Sequence, residues 1–182
     1  MKWYEMLQRL FFLYDNKEGI TYNLGCSGEV AGRDKIVEDN FKYYYSSTKP
    51  GEEKWHDVIG NSIPGWKETD TADQAWKKFL KVNKGKMCFD CSGLVCWICG
   101  YEGRHVWSSW TLGSMKPETT VSGGVAGSCL FKPGHVGIDF GFGQAMDIPT
   151  YGQSLRIRSN KDGGWTKSVQ INGIDYTGAY AY

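Results

Sequence analysis

Four cysteines lie within twelve residues of the chain, in the stretch "CFDCSGLVCWIC" at residues 88–99. Clustered cysteines are typical of three kinds of chemistry: a bound metal ion, a redox pair, or a nucleophilic thiol. Each kind requires a different arrangement of the surrounding chain. The elements that position the cysteines therefore decide among the three.

The spacing of the cysteines disfavours a metal site. Cys88 and Cys91 form one Cys-x-x-Cys pair, and Cys96 and Cys99 form another after only four residues, whereas zinc ribbons separate such pairs by about 15–20 residues. A helix through this stretch would hold Cys91 and Cys99 about 12 Å apart along its axis. One zinc ion, with bonds of about 2.3 Å, cannot join thiolates so far apart. A non-catalytic zinc-binding module of these four cysteines remains the alternative, and a redox pair would need neighbouring parallel strands that the sequence does not predict.

The sequence around Cys91 favours a nucleophile. In "FDCSG" an aspartate precedes Cys91 and an apolar helical pattern follows it, which predicts a helix that begins near Asp90. At a helix N-terminus the unpaired backbone N–H groups should favour the thiolate and can stabilise an oxyanion. Cys26, in "GCSG", is the rival nucleophile, but it lacks the preceding aspartate and a following apolar helical face.

A thiol nucleophile needs a base, and the chain has three histidines. His56 lies in an irregular segment and His105 in the turn-like stretch "YEGRHVW", so neither has a regular setting. His135 opens "HVGIDFGFGQAMDIP", which predicts a β-hairpin that turns at residues 141–143. We therefore predict that His135 is the base.

The predicted hairpin also supplies a residue that can orient the imidazole. Its apolar residues share one face, whereas His135, Gly137 and Asp147 share the other. Asp147 then lies opposite Gly137, within reach of His135, and can hold the ring as the third member of a nucleophile–base–orienter set. Asp139 is on the same face but about 13 Å further along the strand, so it is the weaker candidate.

The remaining elements predict an α+β fold. Apolar residues at helical spacing predict an amphipathic first helix near residues 3–14, and "TADQAWKKFLKVNKGK" predicts another, with Thr71 and Gln74 as a capping box. From residue 129 onward alternating stretches separated by glycines predict antiparallel strands. Residues 41–70 show no clean periodicity and are expected to form a long irregular connection. Its aromatic residues could line a groove or pack on the surface.

Composition excludes several classes of protein. The 182 residues are enough for a single domain with its own core, and a net charge of +1 gives no electrostatic footprint for nucleic acid. No stretch approaches the roughly 18 apolar residues that cross a membrane. The first residues lack the pattern of a signal peptide, so the six cysteines are expected to be reduced thiols.

The motifs resemble those of the NlpC-type cell-wall peptidases, a papain-like family of thiol hydrolases. The resemblance lies in "FDCSGLVCW" and in "GSCLFKPGHVGIDFGFGQAMD", and it covers roughly residues 88–158. A Tyr-x-x-Gly element of the family matches "YNLG" at residues 22–25, which would make residues 30–87 an insertion in a single domain that spans residues 1–182. Gly127-Ser128 departs from the usual Gly-Asp, and Asp147 replaces a residue that is often histidine.

This resemblance implies a papain-like fold, with the nucleophile at the start of a helix packed on a central antiparallel sheet. It implies Cys91, His135 and Asp147 as catalytic residues and Tyr22 and Ser92 as substrate-binding residues, with no metal or cofactor. The implied reaction is hydrolysis of stem peptides in bacterial peptidoglycan, commonly beside a γ-D-glutamyl residue. A related amidase or acyltransferase with the same triad is a second possibility.

The resemblance also carries expectations about the setting of the protein. Peptidoglycan is the expected partner, and we expect a monomer that binds no nucleic acid. Without a signal peptide, the protein would be made in the cytoplasm and would act on the wall after release. A phage endolysin, or a hydrolase of a phage tail or conjugation system, would behave in this way.

Overall fold

The structure is a computed structural model, and it describes residues 1–180 of the chain. The predicted α+β class is confirmed. The helices are α1 (Trp3–Asp15), α2 (Lys35–Ser46), α3 (Trp55–Asn61), α4 (Ala72–Asn83), α5 (Cys91–Ile98) and α6 (Ser109–Gly113). The strands are β1 (Ile20–Tyr22), β2 (Ser27–Val30), β3 (Met87–Phe89), β4 (Glu118–Thr119), β5 (Cys129–Lys132), β6 (His135–Gly141), β7 (Gln144–Asp147), β8 (Arg156–Ser159) and β9 (Lys167–Val169).

The larger sheet is antiparallel, with the strand order β4-β9-β5-β6-β7-β8. The strands predicted from residue 129 onward are therefore confirmed. In the β6–β7 hairpin Ile138 pairs with Met146, and the chain turns at Phe142, whose φ of 56° is positive. This is the predicted register, and it puts His135 and Asp147 on one face of the sheet.

A second, small sheet was not predicted. Its order is β1-β3-β2, in which β1 runs parallel to β3 and β2 runs antiparallel to it. Tyr22, at the end of β1, pairs with Phe89, at the end of β3. Because Phe89 precedes Cys91 by two residues, this pairing brings Tyr22 close to Cys91. The small sheet thus brings together two segments that are far apart in the sequence.

Local signals fix the ends of the predicted helices. Thr71 and Gln74 form the predicted capping box at the start of α4. Asp90 caps α5, since its Oδ1 accepts a 2.7 Å hydrogen bond from the backbone N–H of Gly93. Cys91 is consequently the first residue of α5, as predicted.

The expectation of an irregular connection over residues 41–70 is wrong in part. Helix α2 runs to Ser46, and α3 occupies Trp55–Asn61. Val37, Phe41 and Tyr45 are buried at a spacing of four residues and form the packed stripe of α2. A run of tyrosines at residues 43–45 obscures this stripe in the sequence, because tyrosine fits either face of a helix.

The main core lies between the larger sheet and the helices packed on it. Helix α5 packs against β6, and the buried Leu94 and Ile98 belong to the same cluster as Val136 and Ile138. The apolar face predicted for the hairpin is thus the face that α5 covers. Within the described residues, none of the helices has both the length and the apolar character needed to cross a bilayer.

Replacement of Phe41 by alanine tests whether α2 is part of this core. The ring is fully buried and lies 5.2 Å from Trp76 and 5.0 Å from Phe79, measured between ring centroids. We expect Phe41→Ala to lower the free energy of unfolding by about 3–5 kcal/mol in urea titrations, because a large cavity remains. Ile36→Ala, on the exposed face of the same helix, should cost about 0.5 kcal/mol or less. Equal effects would contradict the packing of α2.

Candidate active site

A groove of about 590 Å³ opens where the N-terminus of α5 meets the larger sheet. It has an aromatic wall, formed by Tyr22, Tyr44 and Trp55. Its polar and charged side chains come from both sheets, from the start of α5 and from the segment after α5, and they include Asp90, Cys91, Ser92, His105, Lys132, His135 and Arg156. Nucleophile and base predicted from the sequence therefore line one groove.

Cys91 lines the groove and is 7% exposed. Backbone N–H groups of Ser92, of Val136 and of Cys91 itself act on its sulfur and lower its pKa, as expected at a helix N-terminus. Burial has the larger effect, followed by the charge of Asp90, and together they raise the pKa of the thiol to about 12. The helix terminus therefore favours the thiolate as predicted, but burial outweighs it, and deprotonation requires a proton acceptor.

His135 is held in the orientation of such an acceptor. Its Nε2 lies 2.7 Å from Oδ2 of Asp147, to which it donates a hydrogen bond. In the neutral ring this leaves Nδ1 with a lone pair. Val136, the next residue of β6, has its backbone N–H at the Cys91 sulfur, so His135 and Cys91 are neighbours across the groove.

Asp147 is completely buried and remains ionised. Burial acts to raise its pKa, but hydrogen bonds from His135 and Arg156 and the charge of Arg158 outweigh burial and lower the pKa to about 2. Nε of Arg156 is 2.8 Å from Oδ1, and Nη2 of Arg158 is 2.7 Å from Oδ2. Neither arginine was identified from the sequence, although both have the alternating spacing that points them to the face of Asp147.

The indole of Trp165 packs against one face of the His135 imidazole. The two rings are stacked, with centroids 5.5 Å apart and planes at 12°. Gly137 makes room for this ring, because a Cβ there would lie 2.9 Å from the indole. Trp165 and Asp147 thus fix both the plane and the tautomer of the base, and no local pattern around Trp165 predicts this role.

At the other end of the groove, both oxygens of the Asp90 carboxylate accept hydrogen bonds. Its Oδ2 accepts a 2.8 Å bond from the backbone N–H of Gly25, and its Oδ1 accepts bonds from Gly93 and from the Ser92 hydroxyl, at 2.7 and 3.0 Å. His105 Nε2 donates to the same carboxylate at 2.9 Å. Ser92, predicted to bind substrate, lines the groove, but its hydroxyl proton is already donated to Asp90.

His105 is the residue that sequence reasoning passed over. It lies in an irregular segment, yet its ring lines the groove 3.2 Å from the Ser92 hydroxyl. The hydrogen bond to Asp90 raises the pKa of His105, against the opposing effect of burial, and the charges of Asp90 and Glu29 act in the same direction. The chain thus carries a second imidazole, paired with a carboxylate, on the Cys91 side of the groove.

Tyr22 reaches the groove through the small sheet. It is 4% exposed, and burial followed by the charge of Cys91 raises its pKa well above the ordinary value. The backbone N–H of Asn23 donates to the carbonyl of Phe89 at 3.0 Å, and that of Asp90 donates to the carbonyl of Cys26 at 3.0 Å. These bonds hold residues 22–26 against the start of α5.

The remaining cysteines have structural positions, and all six thiols are free. Cys26 is fully buried outside the groove, where burial raises its pKa to about 12. Its carbonyl oxygen would lie 1.9 Å from a Cβ at position 93, so Gly93 is required. In the part of the chain that the structure describes, Cys88, Cys91, Cys96 and Cys99 do not form a group that could hold a metal ion.

Comparison of the sequence with models of known protein families gives no match, and comparison with curated proteins gives none. Solved structures similar to the chain include the NlpC/p60 domain of the peptidoglycan hydrolase SagA. That match has 29% sequence identity and a TM-score of 0.39, and it covers 46% of this chain and 78% of the other.

Two structures of the Resuscitation Promoting Factor Interacting protein RipA are also similar. The one mutated at a cysteine has 22% identity and a TM-score of 0.39, and covers 91% of this chain and 78% of the other. The one mutated at a histidine has 21% identity and a TM-score of 0.38, with coverage of 84% and 71%.

Replacement of His105 by glutamine tests its pairing with Asp90. Because the pKa of His105 is raised in the folded chain, its charge stabilises the fold fully below its unfolded value of about 6.5, and the effect is lost as pH rises through the folded value. We expect His105→Gln to reduce the free energy of unfolding more at about pH 5.5 than at about pH 8.5 in denaturant titrations. A reduction independent of pH would contradict a charged pair.

Proposed function

We propose that the chain is an NlpC-type cysteine peptidase that hydrolyses amide bonds in the stem peptides of bacterial peptidoglycan. One observation carries the proposal: Cys91, at the first position of α5, and His135 line a single groove, and the buried Asp147 holds the His135 ring. This is the nucleophile–base–orienter arrangement of thiol hydrolases. The motifs around Cys91 and His135 narrow the class to cell-wall peptidases.

In the proposed mechanism His135 activates the thiol. Its Nδ1 accepts the proton of Cys91, and the sulfur forms a bond to the carbonyl carbon of the substrate. Asp147 stabilises the resulting imidazolium through the 2.7 Å hydrogen bond at Nε2. Burial disfavours a free thiolate at Cys91 in the empty groove. In this mechanism the proton therefore passes from Cys91 to His135 when the substrate binds.

The N-terminus of α5 stabilises the tetrahedral intermediate. The backbone N–H groups of Cys91 and Ser92 have no partner within the helix and can donate to the oxyanion. Collapse of the intermediate breaks the C–N bond, and His135 gives its proton to the leaving amine. Water then attacks the thioester while His135 takes its proton, which releases the acid and restores the thiol.

The form of the groove supports an extended peptide substrate. Tyr22, Tyr44 and Trp55 offer flat apolar surfaces in the same groove as Cys91. We propose that the bond cleaved lies next to a γ-D-glutamyl residue, as the sequence resemblance implies. Aromatic side chains bind peptides with little loss of side-chain entropy, because they have few rotatable bonds.

Digestion of purified peptidoglycan tests the proposal directly. Wild-type protein should release stem-peptide fragments that mass spectrometry identifies, and Cys91→Ala should release none, because the nucleophile is absent. The masses of the fragments identify which bond was hydrolysed and so distinguish a peptidase from an amidase. Cys26→Ala, which removes a buried thiol outside the groove, should retain activity. Release by Cys91→Ala but not by Cys26→Ala would refute the assignment.

The two buried aspartates of the hairpin provide a matched test of the orienting residue. Asp147→Asn should lower kcat on the same substrate by about 100-fold or more, because the imidazole loses its fixed tautomer and position. Asp139 is equally buried, but it bonds to the backbone N–H of Gly141 and to Asn160 instead of to His135. Asp139→Asn should therefore retain most activity, and similar losses in both variants would contradict the role of Asp147.

A further inference from the structure

Charged side chains flank His135 on both sides along one face of the larger sheet. Lys132 of β5 is the cross-strand partner of His135, and Arg156 of β8 is the partner of Asp147. Because the strands lie in the order β5-β6-β7-β8, these side chains follow one another across the sheet in the order Lys132, His135, Asp147, Arg156. Both cations line the groove together with the base.

The positive charge of this region exceeds the negative charge. Arg156 and Arg158 both bond to Asp147, which also accepts from His135. Lys132 donates to the carbonyl oxygen of Gly163 at 2.8 Å and lies over the ring of Trp165. Among residues 1–180, no carboxylate forms an ion pair with Lys132. The region therefore holds three cations, Lys132, Arg156 and Arg158, and one carboxylate, Asp147.

No other group in the groove supplies the missing negative charge. Asp90 is the one carboxylate among the described residues that line it. Its oxygens already accept hydrogen bonds from Gly25, Ser92, Gly93 and His105. Asp90 is thus occupied at the Cys91 end, and the excess positive charge beside His135 has no carboxylate of the groove to balance it.

We propose that Lys132 and Arg156 form a subsite for a carboxylate of the substrate, next to the scissile bond. Lys132 has ammonium protons beyond the one given to Gly163, and Arg156 is 40% exposed and bonds to Asp147 only through Nε and Nη2. Both can donate to an anion in the groove without release of Asp147. Hydrogen bonds between such cations and a carboxylate are strong and directional.

This inference rests on the proposed function and specifies its substrate. A γ-linked glutamyl residue uses its side-chain carboxyl group in the peptide bond, so its α-carboxyl group is left as a carboxylate or, when amidated, as a carboxamide. The subsite distinguishes these two forms, because a carboxamide has no charge for Lys132 and Arg156 to neutralise. The chain should therefore prefer peptides in which that carboxylate is free.

Two synthetic stem peptides test the preference. They are identical except that the γ-linked glutamyl residue has a free α-carboxylate in one and a carboxamide in the other. Wild-type protein should cleave the carboxylate peptide with a kcat/KM about tenfold or more above that of the carboxamide. The ratio should fall as salt is raised, because screening weakens the attraction.

Variants of Lys132 assign the preference to the subsite. Lys132→Met keeps the aliphatic stem over Trp165 but removes the charge, and it should lower the ratio at least fivefold, mainly through a higher KM for the carboxylate peptide. Lys132→Arg should keep the ratio. Lys77→Met, which removes a lysine from the exposed face of α4, is the matched control and should also keep it.

The outcomes separate this inference from the proposed function. Equal cleavage of both peptides by the wild type, or preference for the carboxamide, would overturn the subsite and leave the peptidase intact. A ratio unchanged in Lys132→Met would also overturn the assignment. If folded wild-type protein, checked by circular dichroism, cleaved neither peptide and released nothing from peptidoglycan, both the proposed function and the subsite would fall.

Discussion

The hydrogen bonds of the Asp90 carboxylate hold the active-site region together. One oxygen caps α5 through Gly93 and thereby sets Cys91 at the first helical position, and the other binds the backbone of Gly25. His105 joins the same carboxylate from the segment that follows α5. A single buried charge thus links three separate parts of the chain. Without it, the buried N–H group of Gly93 would lack a side-chain partner and His105 would lose its carboxylate, which is costly.

Asp147 has the corresponding role on the sheet side of the groove. It is completely buried, and two arginines with one histidine compensate its charge. A buried carboxylate is stable only when its partners satisfy it. The arrangement therefore fixes the base by electrostatics rather than by packing alone, and Trp165 adds a rigid surface behind the ring. The two halves of the site are each organised around one aspartate.

Local signals in the sequence predicted the parts of the site that depend on local structure. Helix α5 follows from its cap and its apolar spacing, and the β6–β7 hairpin follows from alternation around a glycine turn, so the positions of Cys91, His135 and Asp147 could be predicted. His105 could not, because its role depends on a contact with Asp90 fifteen residues earlier across an irregular segment. The parallel pairing of β1 with β3 was missed for the same reason, since more than sixty residues separate these strands. The stripe of α2 was present in the sequence but hidden among tyrosines.

The small sheet has a consequence for how this protein can vary. Val30 and Met87 are paired residues of β2 and β3, and Ala31 exchanges backbone hydrogen bonds of 2.9 Å with Lys86 and Gly85. The chain between Ala31 and Gly85 therefore begins and ends at neighbouring positions of the small sheet. Its length can change at little entropic cost, because the cost of closing a loop rises slowly with its length. This excursion contributes Tyr44 and Trp55 to the groove but none of the reacting groups. Substitutions at its groove residues can therefore alter which substrates fit while the reacting groups keep their positions, provided that Val37 and Phe41 remain packed in the main core.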